Sequence, residues 1–193
     1  MAYTHTNRKE KVYYLHQGKT KTGKPKYYFS QSDKGDTINS IPDGYEVYEN
    51  ANALVFMRRI KPQIITEQEV NLVKDSVKAY TKFSHFFVEA KGDKIIVHTP
   101  QQEVDDELVS MLSPFAHLRG IDVRQYMGKR ASFTAMMRFV LSDKEKRTFY
   151  TERFCFRGSI DNWIYLSSSG GTLLTQLMQY VKHLGQESFY ELM

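Results

Sequence analysis

Cysteine is almost absent. Cys155 is the only one in 193 residues, so no internal disulfide can form and no cysteine cluster offers a zinc site. Tryptophan is as scarce, with Trp163 alone. No apolar run approaches the length of a membrane span. The opening MAYTHTNRKEK is polar and charged and lacks the apolar core of a secretory leader. No repeat holds at a fixed period, and no segment is of low complexity. These absences argue against a disulfide scaffold, a cysteine-ligated zinc module, a helical membrane protein and a repeat array. The expectation is a soluble, cytoplasmic chain.

Aromatics are plentiful. Thirteen tyrosines and twelve phenylalanines can build a core, which argues against wholesale disorder. Charge is uneven. The net charge is +5, and residues 1–63 carry 11 Lys/Arg against 6 Asp/Glu, so the whole excess lies there. Residues 8–26 alone hold Arg8, Lys9, Lys11, Lys19, Lys21, Lys24 and Lys26 against Glu10. A local field of this sign favours polyanions, although a merely solvated surface would read the same way.

Punctuation divides the chain. Residues 1–10 read as a flexible tail. KVYYLHQ and KPKYYFS suit strands around a polar loop, and YEVYEN and LVFMRR read as a second hairpin around ANA. Residues 11–62 are therefore expected to form a basic module of two hairpins in one small antiparallel sheet. Lys61-Pro62 marks a boundary, because proline disfavours helix at the residue before it. Residues 63–193 are expected to form an α+β domain. Thr66 to Glu69 fits a capping box, opening a helix to about Tyr80 that buries Val70, Val73, Val77 and Tyr80. HFFVEAK and KIIVHT form a hairpin at Gly92-Asp93. An acidic helix covers EVDDELVSML and stops or kinks at Pro114. SFTAMMRFVLS and RTFYTERFCF form the longest hairpin. There, alternation places Phe133, Ala135, Met137, Phe139 and Leu141 on one face, with Phe149, Thr151, Arg153 and Cys155 together on the partner strand. Leu173, Leu177, Tyr180, Val181 and Leu184 are the stripe of a C-terminal helix, and Gly185 is its stop. Strands and helices alternate without a regular βα rhythm, so the class is α+β.

The strings YYLHQGKTKTGKPKYYFS, IPDGYEVYENANALVFMRR, FCFRGSIDNWIYL and YVKHLGQESFYEL resemble a family of uncharacterised bacterial proteins, over most of the chain from about Val12 to Leu192. The resemblance implies a bacterial, full-length small protein and assigns no residue a role.

Residues 18–25, GKTKTGKP, come close to a phosphate-binding loop. That reading needs a hydroxyl after the final lysine and a helix behind it, and Pro25 and a strand-like KYYFS stand there instead. The alternative is a hairpin tip. Lys19, Lys21, Lys24 and Lys26 would then neutralise successive phosphates without reading sequence. Tyr14 and Tyr28 would share a strand face and stack unpaired bases if exposed, or serve as core if buried. The leading expectation is thus a non-enzymatic, nucleic-acid-associated protein with no cofactor and no membrane partner. A protein–protein subunit that docks on aromatic faces or sheet edges is the alternative. A metal-dependent nuclease is the third reading, from Glu89-x-Lys91 with Asp75 as the nearest upstream carboxylate.

Other candidates have bland explanations. Glu103, Asp105, Asp106 and Glu107 could hold a divalent ion, but acidic residues also favour a helix start. The six histidines are scattered, and only His85 and His98 could meet across a hairpin. Cys155 reads as buried filler. Arg157 and Asp161 could brace the turn at Gly158, with Trp163 as anchor, or line a pocket.

Overall fold

The computed structural model describes residues 1–102, 104–157, 160–166 and 169–192, and for residues 156, 157 and 160 the backbone only. The chain divides into two compact units, Met1–Pro62 and Gln63–Met193. The class is α+β, with antiparallel strands throughout.

The first unit holds strands β1 (Thr4–Thr6), β2 (Val12–Lys19), β3 (Pro25–Ser30), β4 (Tyr45–Glu49) and β5 (Val55–Arg59). They make two sheets rather than one: β1-β2-β3 and β4-β5. The expected tail is also corrected, because Thr4–Thr6 pairs in register with β2. A polar sequence hides this strand, since a three-residue edge needs no apolar pattern.

Three turns of the unit are built alike. They open at Asn7, Thr20 and Asn50. In each, the opening residue's N–H donates to the carbonyl four residues on, at 2.8–3.0 Å, and its own carbonyl accepts from the residue three on. Its side-chain oxygen then takes the N–H of the fifth residue, at 2.8, 3.1 and 2.9 Å respectively. The fourth residue is left-handed in every case: Glu10, Gly23 and Ala53, with φ of 63°, 78° and 63°. This is the three-residue hairpin loop, a type I turn closed by an αL residue. It explains GKTKTGKP: Thr20 supplies the side-chain acceptor and Gly23 the positive φ.

The two sheets of this unit meet through one face each. Cross-strand pairs place Tyr13, Leu15, Tyr27 and Phe29 on one face of β2-β3. Tyr27 meets Tyr45 edge-on at 5.1 Å. The buried Asn7 donates from Nδ2 to the Ala53 carbonyl at 2.6 Å, tying the β1-β2 turn to the β4-β5 turn.

The second unit carries α1 (Glu67–Tyr80), β6 (Phe87–Lys91), β7 (Lys94–Pro100), α2 (Asp106–His117), α3 (Val123–Arg130), β8 (Phe133–Asp143), β9 (Thr148–Arg157), β10 (Ile160–Tyr165), β11 (Gly171–Thr172), α4 (Leu173–Tyr180) and α5 (Ser188–Glu191). The sheet order is β10-β9-β8-β7-β6, with β11 beside β9. Helices α1 and α4 cover one face. Val73, Val77, Ile95, Val97, Met137, Phe139, Phe149, Leu173, Leu177, Tyr180, Val181 and Leu184 are buried there as one core.

Some expectations need correction. A bulge between Val97 and His98 pairs Val97 with Met137 but His98 with Ala135. One extra residue resets the alternation, so Phe133 and Ala135 lie on the opposite face from Met137, Phe139 and Leu141. Tyr80 is 53% exposed at the C-terminal end of α1, while Val73 and Val77 are fully buried. Helix α2 does not stop at Pro114; it runs on to His117.

The capping box of α1 does more than cap. Thr66 and Glu69 bond reciprocally, and Glu69 also takes the Arg147 guanidinium from the turn between β8 and β9. Burial pushes the Glu69 carboxyl up, but the hydrogen bonds from Arg147 and Thr66 outweigh it and hold the pKa below the ordinary 4.5. A depressed carboxyl contributes stability that is complete above the unfolded value and lost as pH falls through the folded one. Wild type should therefore lose stability below about pH 4.5, and Glu69→Gln should flatten that slope in urea titrations from pH 6 to 3. The pair is partly exposed, so the difference should stay under about 1 kcal/mol.

Gly185 ends the C-terminal helical segment at φ +83°, and a Cβ there would lie 2.5 Å from Phe83 Cζ. Gly185→Ala combines left-handed strain with that clash. Its cost should be about 2–3 kcal/mol by denaturant unfolding. An unchanged midpoint would contradict the close approach.

Candidate nucleic-acid interface

The hairpin of β2 and β3 positions all six residues singled out above. Lys19 pairs with Pro25 at the base of the tip, Lys21 and Lys24 lie in the turn, and Lys26 pairs with Gly18 on the strand. All four lysines are exposed, and none has a carboxylate partner among the described residues. Four unneutralised ammonium groups within one turn and its flanks make a concentrated positive surface.

The face opposite the Tyr13–Leu15 side carries Tyr14, His16 and Gly18 on β2 against Ser30, Tyr28 and Lys26 on β3. Tyr28 is 43% exposed. Its ring stacks on His16, with centroids 5.3 Å apart and planes 13° apart. Gly18 lies beside this ring, where a Cβ would make an ordinary contact with Tyr28 Cε1 at 3.5 Å. One side of the Tyr28 ring is thus supported by His16. Tyr14 is half-buried on the same face.

His16 is itself buried, and its Nε2–H donates to the Ser32 carbonyl at 2.9 Å. The following loop completes the arrangement. Gln17 N–H donates to Asp36 O, Ile38 N–H donates to Leu15 O, and Thr37 bridges to His16. This loop, which carries Asp33, Lys34 and Asp36, runs past His16. No motif announced the His16 support. Its sequence signal was the register of the hairpin, which sets His16 opposite Tyr28.

The charge cluster of residues 8–26 is split in space. Arg8 and Lys9 lie in the turn that precedes β2, with Lys11 closing it, while Lys19 ends β2 and Lys21 and Lys24 lie in the turn beyond it. Eight strand residues separate these turns, a span of about 26 Å. Arg8 is also committed to Glu49, with its N–H 3.2 Å from Oε1.

The remaining candidates are occupied. Glu89 Oε1 meets His98 Nε2 at 3.0 Å, both largely buried, while Asp75 is exposed on α1. No group of three or more metal-ligating side chains comes together among the described residues. Asp105 caps α2 by accepting from Glu107 N–H at 2.9 Å, and Asp106 pairs with Arg124; Glu103 lies outside the described residues. The His85 ring lies against Gly128 of α3, where a Cβ would fall 2.1 Å from it. Cys155 is a free thiol, half-buried. The brace at Gly158 lies outside the described residues, as does the Arg157 side chain. Trp163 instead has the Arg138 guanidinium 4.2 Å over its ring and Phe154 edge-on at 5.3 Å.

A cleft of about 360 Å³ opens in the second unit between Phe83, Thr99, Met136 and Tyr190. Its polar side chains include Gln101 and Thr134, which bond to each other at 3.0 Å, and no charged group among the described residues lines it. Among the described residues no helix is long and apolar enough to cross a membrane.

Compared with protein-family models, with curated proteins and with solved structures, the chain matches none. The class is therefore set by the architecture alone: a two-unit antiparallel α+β protein. What distinguishes it within that class is a lysine-tipped hairpin with a half-exposed tyrosine beside the lysines.

Proposed function

We propose that this protein is a non-enzymatic nucleic-acid-associated protein, and that the tip of the β2-β3 hairpin is its phosphate contact. The observation that supports this reading is the set of four exposed lysines, unpaired with any described carboxylate, in the unit that carries all of the chain's net positive charge. Lysines bind phosphates as point charges and release condensed counterions, so the contact is independent of sequence and sensitive to salt. Tyr28 adds a ring held from behind by His16, suited to an unpaired base.

The test is an electrophoretic mobility shift at 50 and 200 mM salt, with single-stranded and duplex probes of scrambled sequence. Binding at the lower salt that collapses at the higher, with no preference among sequences, is expected. Absence of a shift at 50 mM, or a salt-insensitive complex, sinks the proposal. The nuclease reading gains nothing from Glu89, whose carboxylate is engaged by His98.

A further inference from the structure

Helix α2 is amphipathic, yet none of its residues is buried. Met111, Phe115 and Leu118 are 60%, 73% and 86% exposed, and Leu112 is also open. At 3.6 residues per turn, 111, 115 and 118 form one stripe. The opposite side leans on the chain itself: Val109 and Ala116 are half-buried, and Asp106 pairs with Arg124 of α3. An apolar stripe on an otherwise charged surface marks an interaction site.

The charges beside the stripe identify the occupant. The start of α2 is acidic, with Asp105, Asp106 and Glu107, and its end is followed by Arg119. Glu107 and Arg119 are both exposed, and neither has an ion partner among the described residues. Each lies six residues from Ser113. An antiparallel pair of α2 helices centred on Ser113 therefore sets Glu107 of each copy opposite Arg119 of the other. The same centre sets Met111 against Phe115 and Leu108 against Leu118 across the pair. Antiparallel helix dipoles also align favourably. A lipid surface fits poorly, because interfacial helices carry Lys and Arg on the polar face rather than an acidic start.

We propose that the protein forms a two-fold homodimer through antiparallel α2 helices. This is a surface of the second unit, and it does not rest on the hairpin reading. A 12-residue helix is about 18 Å long, so the contact is smaller than the roughly 800 Å² per partner of a standard interface. The dimer is accordingly weak, with dissociation on the order of micromolar.

Sedimentation velocity of the full chain from about 1 to 500 µM tests it. Wild type should shift from monomer to dimer with concentration. Phe115→Glu should remain monomeric throughout with unchanged circular dichroism, since the side chain is exposed. Glu107→Lys and Arg119→Glu should each weaken association about tenfold, and the double variant, with both charges exchanged, should recover it. That recovery is specific to two copies in antiparallel register. A wild type that stays monomeric at the highest concentration overturns the proposal, as does a dimer that survives Phe115→Glu. A double variant no tighter than the single ones also overturns it.

Discussion

Reversing Lys19, Lys21, Lys24 and Lys26 to glutamate is expected to abolish binding to nucleic acid at every salt concentration where wild type binds. Each phosphate neutralised contributes about 0.9 to the logarithmic salt slope on duplex DNA and about 0.7 on single strands. Four contacts give a duplex slope near −3.6, or about 100-fold in affinity between 50 and 200 mM salt. Substitution by glutamine should lower the slope by about one per lysine in contact. The fold should survive, because all four side chains are exposed and the turn depends on Thr20 and Gly23. The geometry supplies a sharp control. Lys9→Glu with Lys11→Glu changes the same kind of charge at the other end of β2. These substitutions should leave the salt slope intact. If they weaken binding as much as the tip variants do, the general charge of the unit is responsible and the tip is not the site. Tyr28→Ala separates the remaining contribution. It should cost single strands about 1–2 kcal/mol and duplex almost nothing.

Removing Arg138 is expected to destabilise the second unit by about 3 kcal/mol. Its guanidinium pairs with Glu152 directly across β8 and β9, and the Glu152 side chain is only 5% exposed. Truncation leaves that carboxylate buried and uncompensated, which costs more than the intact pair contributes. The Trp163 ring also loses the cation over its face. Thermal unfolding should fall by roughly 10 °C. Replacing both partners with apolar residues, as in Arg138→Met with Glu152→Leu, should restore most of the loss. If Arg138→Ala unfolds like wild type, the pair is not sealed from water. If the double variant is worse than the single one, the polar pair is required for packing and the desolvation argument fails.

Local rules were legible wherever chemistry was local. The capping box at Thr66 and Glu69, the hairpin tip at GKTKTGKP and the stop at Gly185 could be read directly, because each depends on a few neighbouring residues. The apolar stripe of α4 was legible for the same reason. Reading failed where one residue shifted a register. The bulge opposite Val97 moved Phe133 and Ala135 to the other face, although the alternation around them looked unbroken. It also failed at β1, whose strand is set by pairing with β2 and by the buried Asn7, not by its own composition. The Arg138–Glu152 pair lay within reach, since the two residues are equally far from Glu145 in the hairpin turn.

The candidate site shows the same division. Composition by itself determined that the positive charge belongs to the first unit, because net charge is a sum over residues and needs no coordinates. Pro25 and the strand-like KYYFS behind it determined that GKTKTGKP turns a hairpin and opens no helix. Only the tertiary structure decided which lysines act together. A run that is continuous along the chain is divided by β2, whose length of about 26 Å exceeds the screening distance of roughly 8–10 Å at ordinary salt. Tertiary structure also decided that Tyr28 stands half in solvent while Tyr13 and Leu15 on the same hairpin are buried. The reason is that a β-ribbon has two faces, and β4-β5 packs against one of them.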